Sequence, residues 1–258
     1  MKVTCLQFDI VFGNPSANKQ RVQEEITKAM VGAPDVIVLP ELWTTGYDLT
    51  RLDDIADTNG AESQLFLSNL AKEHHVNIVG GSIAKKTDAG ITNTTYFFNR
   101  SGDCIGEYSK VHLFKLMDEH LYLKAGNTKG HFKLDGISSS GVICYDIRFP
   151  EWLRAHTTDG AEIVFVVAQW PLARLEHWRT LLISRAIENQ CYIVACNRSG
   201  SDPNNEFAGH SMIIDPWGEV VAEASKHPEH LTATLDLEKV PQVRKQIPIF
   251  ADRRTDLY

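Results

Sequence analysis

Three short stretches hold residues whose types could do covalent chemistry together. The first is GVICYDIRFPEW, residues 141 to 152, where an apolar run meets a cysteine and then charged residues. A free cysteine is usually a small buried hydrophobe. Cys144 stands apart from the other four because Val142 and Ile143 read as the end of a buried strand, and Pro150 suits the first turn of a helix. The thiol then sits at a strand-to-helix elbow. That position predicts an exposed side chain whose pKa is lowered from the usual ~8.5 by the helix N-terminus and by Arg148, which makes Cys144 the candidate nucleophile. In VIVLPELW, Glu41 directly follows a buried strand, where desolvation would raise its pKa toward the range of a general acid or base. An exposed glutamate opening a loop is the equal alternative. In GEYSKVHLF, Lys110 interrupts an aromatic and aliphatic strand, either as a donor to a developing oxyanion or as a snorkelling edge residue.

The segments between them must bring these residues together. KVTCLQFDI reads as a strand, and NKQRVQEEITKAMVG as a helix with Val22, Ile26, Ala29 and Met30 on one stripe. DVIVLPEL is apolar throughout, the mark of a strand covered on both faces. Helix SQLFLSNLAKEHH and strand VNIVGGSIA continue the alternation, and NRSGD between two alternating runs signals a hairpin, so the sheet is mixed. GVICY, PEWLRAHTT, AEIVFVVAQW, RLEHWRTLLISRAIEN and CYIVACN then alternate strand and helix. The strand pair HSMIIDPWGEVVAEA and a last strand, HLTATLDL, close the sheets. After Leu237 a short helix precedes an extended QIPIFADRRTDLY, placed by this reading across a partner subunit. The pattern is an α/β layered sandwich.

Composition narrows the classes. No Pro/Ser-rich linker or low-complexity run divides the 258 residues, so residues 1–258 read as a single domain. A formal charge of -7 with scattered Lys and Arg disfavours nucleic acid and acidic membranes as partners. The N-terminus enters a strand pattern directly and no apolar run approaches the ~18 residues of a membrane span, so a cytoplasmic location is expected. Five cysteines, an odd count, suit reduced thiols. No CxxC or HExxH occurs, Cys191 and Cys196 fall on opposite faces of one strand, and neither metal nor cofactor is expected. GxGxxG, GxxxxGK[ST] and GxSxG are absent too, which disfavours nucleotide binding and serine hydrolysis.

Taken together, LPELWTTGY, YSKVHLF and GVICYDIRFPE resemble, in order and wording, the Glu, Lys and Cys motifs of the nitrilase superfamily of carbon-nitrogen hydrolases. The resemblance extends over MDEHLYLKAG, SRAIENQCYIVACNRSG, GHSMIIDPWGEV and the C-terminal stretch. It is strongest to the bacterial omega-amidase-like branch, whose members carry a QWP tripeptide, here Gln169-Trp170-Pro171, and are associated with methionine salvage. It implies a four-layer α-β-β-α sandwich, a triad of Glu41, Lys110 and Cys144, and an oxyanion held by Lys110 and the Tyr145 N–H. It also implies that Glu119 stands beside the triad and orients Lys110, where the residue alone reads as first-turn helix, and that the chain pairs as a homodimer through its helices.

The implied substrate is a small carboxylic amide such as 2-oxoglutaramate, with amidases of deaminated glutathione or of simple aliphatic amides as the alternative. True nitrile hydrolysis fits CYDIRFPE less well. A non-catalytic scaffold of the same fold would have lost one of Glu41, Lys110 and Cys144, and all three are present. Tyr47 and Trp170 read either as pocket walls or as core aromatics. Arg174 reads either as a site for the substrate carboxylate or as the surface start of a helix. Asp146 and Arg148 also match the family, and at i and i+2 beside a strand end they read equally as structural ion pairs, so they stay outside the catalytic set.

Overall fold

The computed structural model describes residues 1–257. Its strands are β1 (Lys2–Gln7), β2 (Val36–Val38), β3 (Asp57–Thr58), β4 (Asn77–Val79), β5 (Ile83–Thr87), β6 (Gly90–Phe98), β7 (Cys104–Ser109), β8 (His131–Leu134), β9 (Ile137–Ile143), β10 (Ile163–Ala168), β11 (Tyr192–Asn197), β12 (Met212–Ile214), β13 (Val220–Glu223) and β14 (Glu229–Thr234). The helices are α1 (Pro15–Ala29), α2 (Leu52–Ile55), α3 (Ala61–His74), α4 (Glu119–Tyr122), α5 (Pro150–Thr158), α6 (Leu175–Asn189) and α7 (Lys239–Gln246). They build two mixed sheets. One runs β14-β1-β2-β4-β6-β5-β3 with β7 paired to β6, and the other β13-β12-β11-β10-β9-β8.

Alternation along the strands explains the layers. In β2, Val36 and Val38 join the core shared with the second sheet, while Ile37 joins Val22 and Ile26 of α1 and Leu67 and Leu70 of α3. The strand is therefore covered on both faces, as its unbroken apolar run requires. Between the sheets, Phe97 of β6 stacks on Phe132 of β8 with centroids 3.7 Å apart. On the far side of the second sheet, Leu153 of α5 and Trp178, Leu182 and Ala186 of α6 complete the fourth layer. The expected α-β-β-α sandwich is what the chain forms.

Three expectations are corrected. VNIVGGSIA is two strands, because Gly81 adopts φ +58° and any Cβ there would lie 2.2 Å from the Pro40 carbonyl oxygen. The break has a use: Gly80 O accepts from Trp43 Nε1 (2.9 Å) and Ser82 Oγ from Leu42 N (2.8 Å), so the turn braces the loop that begins at Glu41. Second, β9 is longer than GVICY and forms a hairpin with β8 through Asp135-Gly136, both at positive φ, as a tight primed turn demands. Third, the tail is not an extended arm. Amides of Ala251 and Asp252 bond to Pro248 O, Gln190 Nε2 donates to Ile247 O, and Phe250 lies between the guanidinium groups of Arg154 and Arg244 at 5.3 and 4.9 Å. It packs on its own chain. Tyr258, the last residue of that stretch, lies outside the described residues. No helix among the described residues is long and apolar enough to cross a membrane.

Candidate active site

Three of the four residues implied as catalytic lie just after strand ends, and the fourth opens a short helix. Glu41 comes three residues after β2, Lys110 directly after β7, and Cys144 directly after β9, while Glu119 opens α4. Leu42, next to Glu41, and Cys144 itself adopt φ +42° and +47°. A left-handed conformation costs a branched or bulky residue energy and persists only where the surroundings enforce it. Asp146 does so for the elbow: its carboxylate accepts from Ile143 N (2.9 Å), Tyr108 OH (2.7 Å), and His112 N and Nδ1 (3.1 and 2.8 Å). Arg185 of α6 donates to Ile147 O at 2.8 Å from the other side. Asp146 thus pairs with the backbone and with His112, not with Arg148, which corrects the ion pair expected between them.

Below the thiol is a pit of buried charge. Lys110 Nζ lies 2.9 Å from Glu41 Oε1 and 2.6 Å from Glu119 Oε1, and all three side chains are fully buried. Every carboxylate oxygen has further donors. Glu41 Oε1 accepts from Asn93 Nδ2 (2.8 Å) and Oε2 from Gln169 N (2.9 Å), while Glu119 Oε2 accepts from Phe114 N (2.8 Å). Tyr47 OH reaches Glu119 Oε1 at 2.7 Å and Glu41 Oε1 at 3.1 Å. Tyr47 therefore bridges the carboxylates and does not wall the pocket. Lys110 is neither at an edge nor snorkelling, and Glu119 is both the first residue of its helix and the second partner of the ammonium.

These contacts set the protonation of the site. Burial favours neutral Lys110, but Glu119 and Glu41 outweigh it, so its pKa lies well above the ordinary lysine value and the ammonium persists. Burial raises the pKa of Glu119, against the pull of Lys110. The Cys144 thiol is raised as well: burial is the main cause, followed by the charge of Glu41, with Lys110 opposing and Glu119 adding to the rise. Here the expectation of an exposed, low-pKa thiol is overturned. The side chain is only 5% exposed, and a 3-10 segment, Cys144–Arg148, comes between β9 and α5.

Above the thiol is a small cavity whose walls include Tyr145, Trp170 and Arg174, together with Phe114, Gln169 and Arg148. Arg174 lines this cavity and directly precedes α6. Three residues escaped the sequence reading. Asn93 and Gln169 hold the two oxygens of Glu41, and Gln169 Nε2 also donates to Glu41 O at 2.6 Å. Arg198, fully buried, donates to Gln169 Oε1 at 2.8 Å and fixes that amide. No group of His, Cys, Asp and Glu suited to a metal ion occurs among the described residues.

Paired carboxylates, an ammonium and a thiol at the strand ends of a double-sheet sandwich define a class, and comparison with known proteins agrees: the chain belongs to the carbon-nitrogen hydrolase family, whose pattern matches residues 2–245. Among particular relatives, it is 56% identical to the 2-oxoglutaramate amidase of Bacillus subtilis (strain 168), with 99% of this chain and 98% of that protein aligned. It is 44% identical to the hydrolase in the agr operon of Staphylococcus aureus, over 100% of both chains. Among solved structures, XC1258 of Xanthomonas campestris, a CN-hydrolase superfamily protein with an arsenic adduct in its active site, superposes with TM-score 0.92 at 28% identity, covering 99% of this chain and 97% of that one.

Proposed function

We propose that the protein is an amidohydrolase that cleaves a small carboxylic amide to acid and ammonia through a thioester on Cys144, with 2-oxoglutaramate as its substrate. One observation carries the chemistry: the fully buried carboxylate of Glu41 lies 2.9 Å from the ammonium of Lys110, and the charges of both act on the Cys144 thiol. Because the resting thiol is protonated, the proton leaves as the sulfur attacks. Glu41 takes it while the Cys144 Sγ–carbonyl carbon bond forms, and Lys110 with the Tyr145 N–H receives the oxyanion. Glu41 then gives the proton to the amide nitrogen, the C–N bond breaks and ammonia departs. Water next loses a proton to Glu41 as it attacks the thioester; the C–S bond breaks and the thiol regains its proton.

Glu119 and Tyr47 keep Lys110 and Glu41 in register. The substrate assignment rests on the 56% identity to a 2-oxoglutaramate amidase over nearly the whole chain. Ammonia release measured over 2-oxoglutaramate, deaminated glutathione and simple aliphatic amides tests it. The expected result is highest kcat/KM for 2-oxoglutaramate and loss of release on Cys144→Ala by at least about 10⁴-fold; release unchanged by that substitution would contradict the mechanism, and preference for deaminated glutathione would move the substrate. Pairing into a homodimer through the helical layer belongs to the same reading, supported by Ile187 of α6 standing 52% exposed; a monomer by sedimentation would remove it.

A further inference from the structure

The cavity over Cys144 holds two positive charges with no negative one. Arg148 stacks its guanidinium on the Trp170 ring at 4.8 Å and places Nη2 3.2 Å from His177 Nδ1. Arg174 lies over the Phe114 ring at 5.4 Å, and its own carbonyl accepts from Trp170 Nε1 at 2.8 Å. Among the described residues neither has a carboxylate within ion-pair distance, although the chain carries 33 Asp and Glu against 26 Lys and Arg. The two also act on each other: Arg148 has its pKa lowered by burial and, further, by the charge of Arg174. Half-buried like charges that share a wall cost free energy until an anion lies between them, and aromatic stacking holds both planes where a carboxylate can be gripped.

We infer that Arg148 and Arg174 form one carboxylate-binding clamp at the mouth of the site, which selects amides bearing a carboxylate at the end opposite the scissile bond, that is, monoamides of dicarboxylic acids. This rests on the amidase reading and adds to it the residues that read the substrate. Trp170 and Phe114 are the positioning surfaces, since each carries one guanidinium. A neutral amide of the same length gains nothing from the clamp, so discrimination arises from the carboxylate alone. The same charges could instead serve the sulfur by favouring its anionic form, in which case every substrate would depend on them equally.

A matched pair separates these uses. Glutaramate and valeramide have the same chain length and differ in a terminal carboxylate against a methyl group. The wild-type protein is expected to favour glutaramate in kcat/KM. Arg148→Gln and Arg174→Gln should each lower the glutaramate-to-valeramide ratio by about 10- to 100-fold, mainly through KM, as loss of a hydrogen bond to a charged group does. Arg174→Lys, which keeps the charge but not the planar fork, should recover part of the ratio. Equal losses for both amides, or a wild-type protein that does not prefer glutaramate, would overturn the clamp. Calorimetry with glutarate on Cys144→Ala gives a reading free of turnover: saturable binding, lost on adding Arg174→Gln, is expected, and no binding or binding insensitive to Arg174 contradicts the clamp. If neither amide is cleaved while glutarate still binds, the amidase reading has failed and the clamp has not.

Discussion

Two charged regions meet at Cys144 and are built on opposite principles. Beneath it, Glu41, Lys110 and Glu119 are fully buried and their polar atoms are matched by Tyr47, Asn93, Phe114 N and Gln169 N. Above it, Arg148 and Arg174 are half-buried, stacked on rings and without an acid. The difference divides the labour. In this buried cluster every carboxylate oxygen is matched, while Lys110 spends two of its three N–H groups on Glu41 and Glu119 and keeps one for the oxyanion, so it suits steps common to all amides. Cations left without counter-ions are free to bind, so they suit choice among amides.

The largest expected difference between the two regions is in stability. Lys110→Gln would leave two buried carboxylates facing each other and should destabilise the fold by about 3–5 kcal/mol near neutral pH. Arg174→Gln breaks no ion pair and should cost less than about 1 kcal/mol. The Lys110 penalty should shrink as the pH falls, because Glu119, whose pKa burial already raises, takes up a proton and removes the repulsion. Chemical denaturation of both variants at two pH values checks this, and equal losses would break the contrast. Loss of Lys110 as an oxyanion donor should also cost about 10²- to 10³-fold in kcat.

A smaller effect concerns the sulfur. With its pKa raised by burial and by Glu41, Cys144 should be alkylated by iodoacetamide slowly at neutral pH, at a rate rising about tenfold per pH unit from 6 to 9. Sign and window agree, since a raised thiol pKa makes the thiolate scarce below it and increasingly populated toward it. A plateau between pH 6 and 8 would mean that the guanidinium groups above the thiol win over the carboxylates below it.

Much of this was legible along the chain because it depends on local order. A strand ending at Cys144, a proline starting α5 at Pro150 and the apolar run ending at Glu41 all mark positions that a short window can reveal. The Asp135-Gly136 hairpin was equally legible and was overlooked because the run before it, HFKL, is short. The thiol pKa was misjudged for a different reason. The neighbours of Cys144 in sequence do not set it; the groups that decide, the residues that bury the sulfur and Glu41, arrive from the Phe114 loop and from the other sheet. Asn93 and Gln169 escaped on the same grounds: one lies on β6 and the other follows β10, and only packing of the two sheets brings both onto one carboxylate. Gln169 did carry a signal, since it follows the end of a buried parallel strand, as Cys144 does.

The central claim is that sulfur carries the acyl group, and intact-protein mass spectrometry of an acid-quenched reaction tests it most directly. With 2-oxoglutaramate in excess, the account predicts a mass increase equal to the acyl group, located on the peptide containing Cys144, absent in Cys144→Ala and released as the free acid on standing at neutral pH. An acyl group found on another residue, or full turnover by Cys144→Ala with no adduct anywhere, would contradict it.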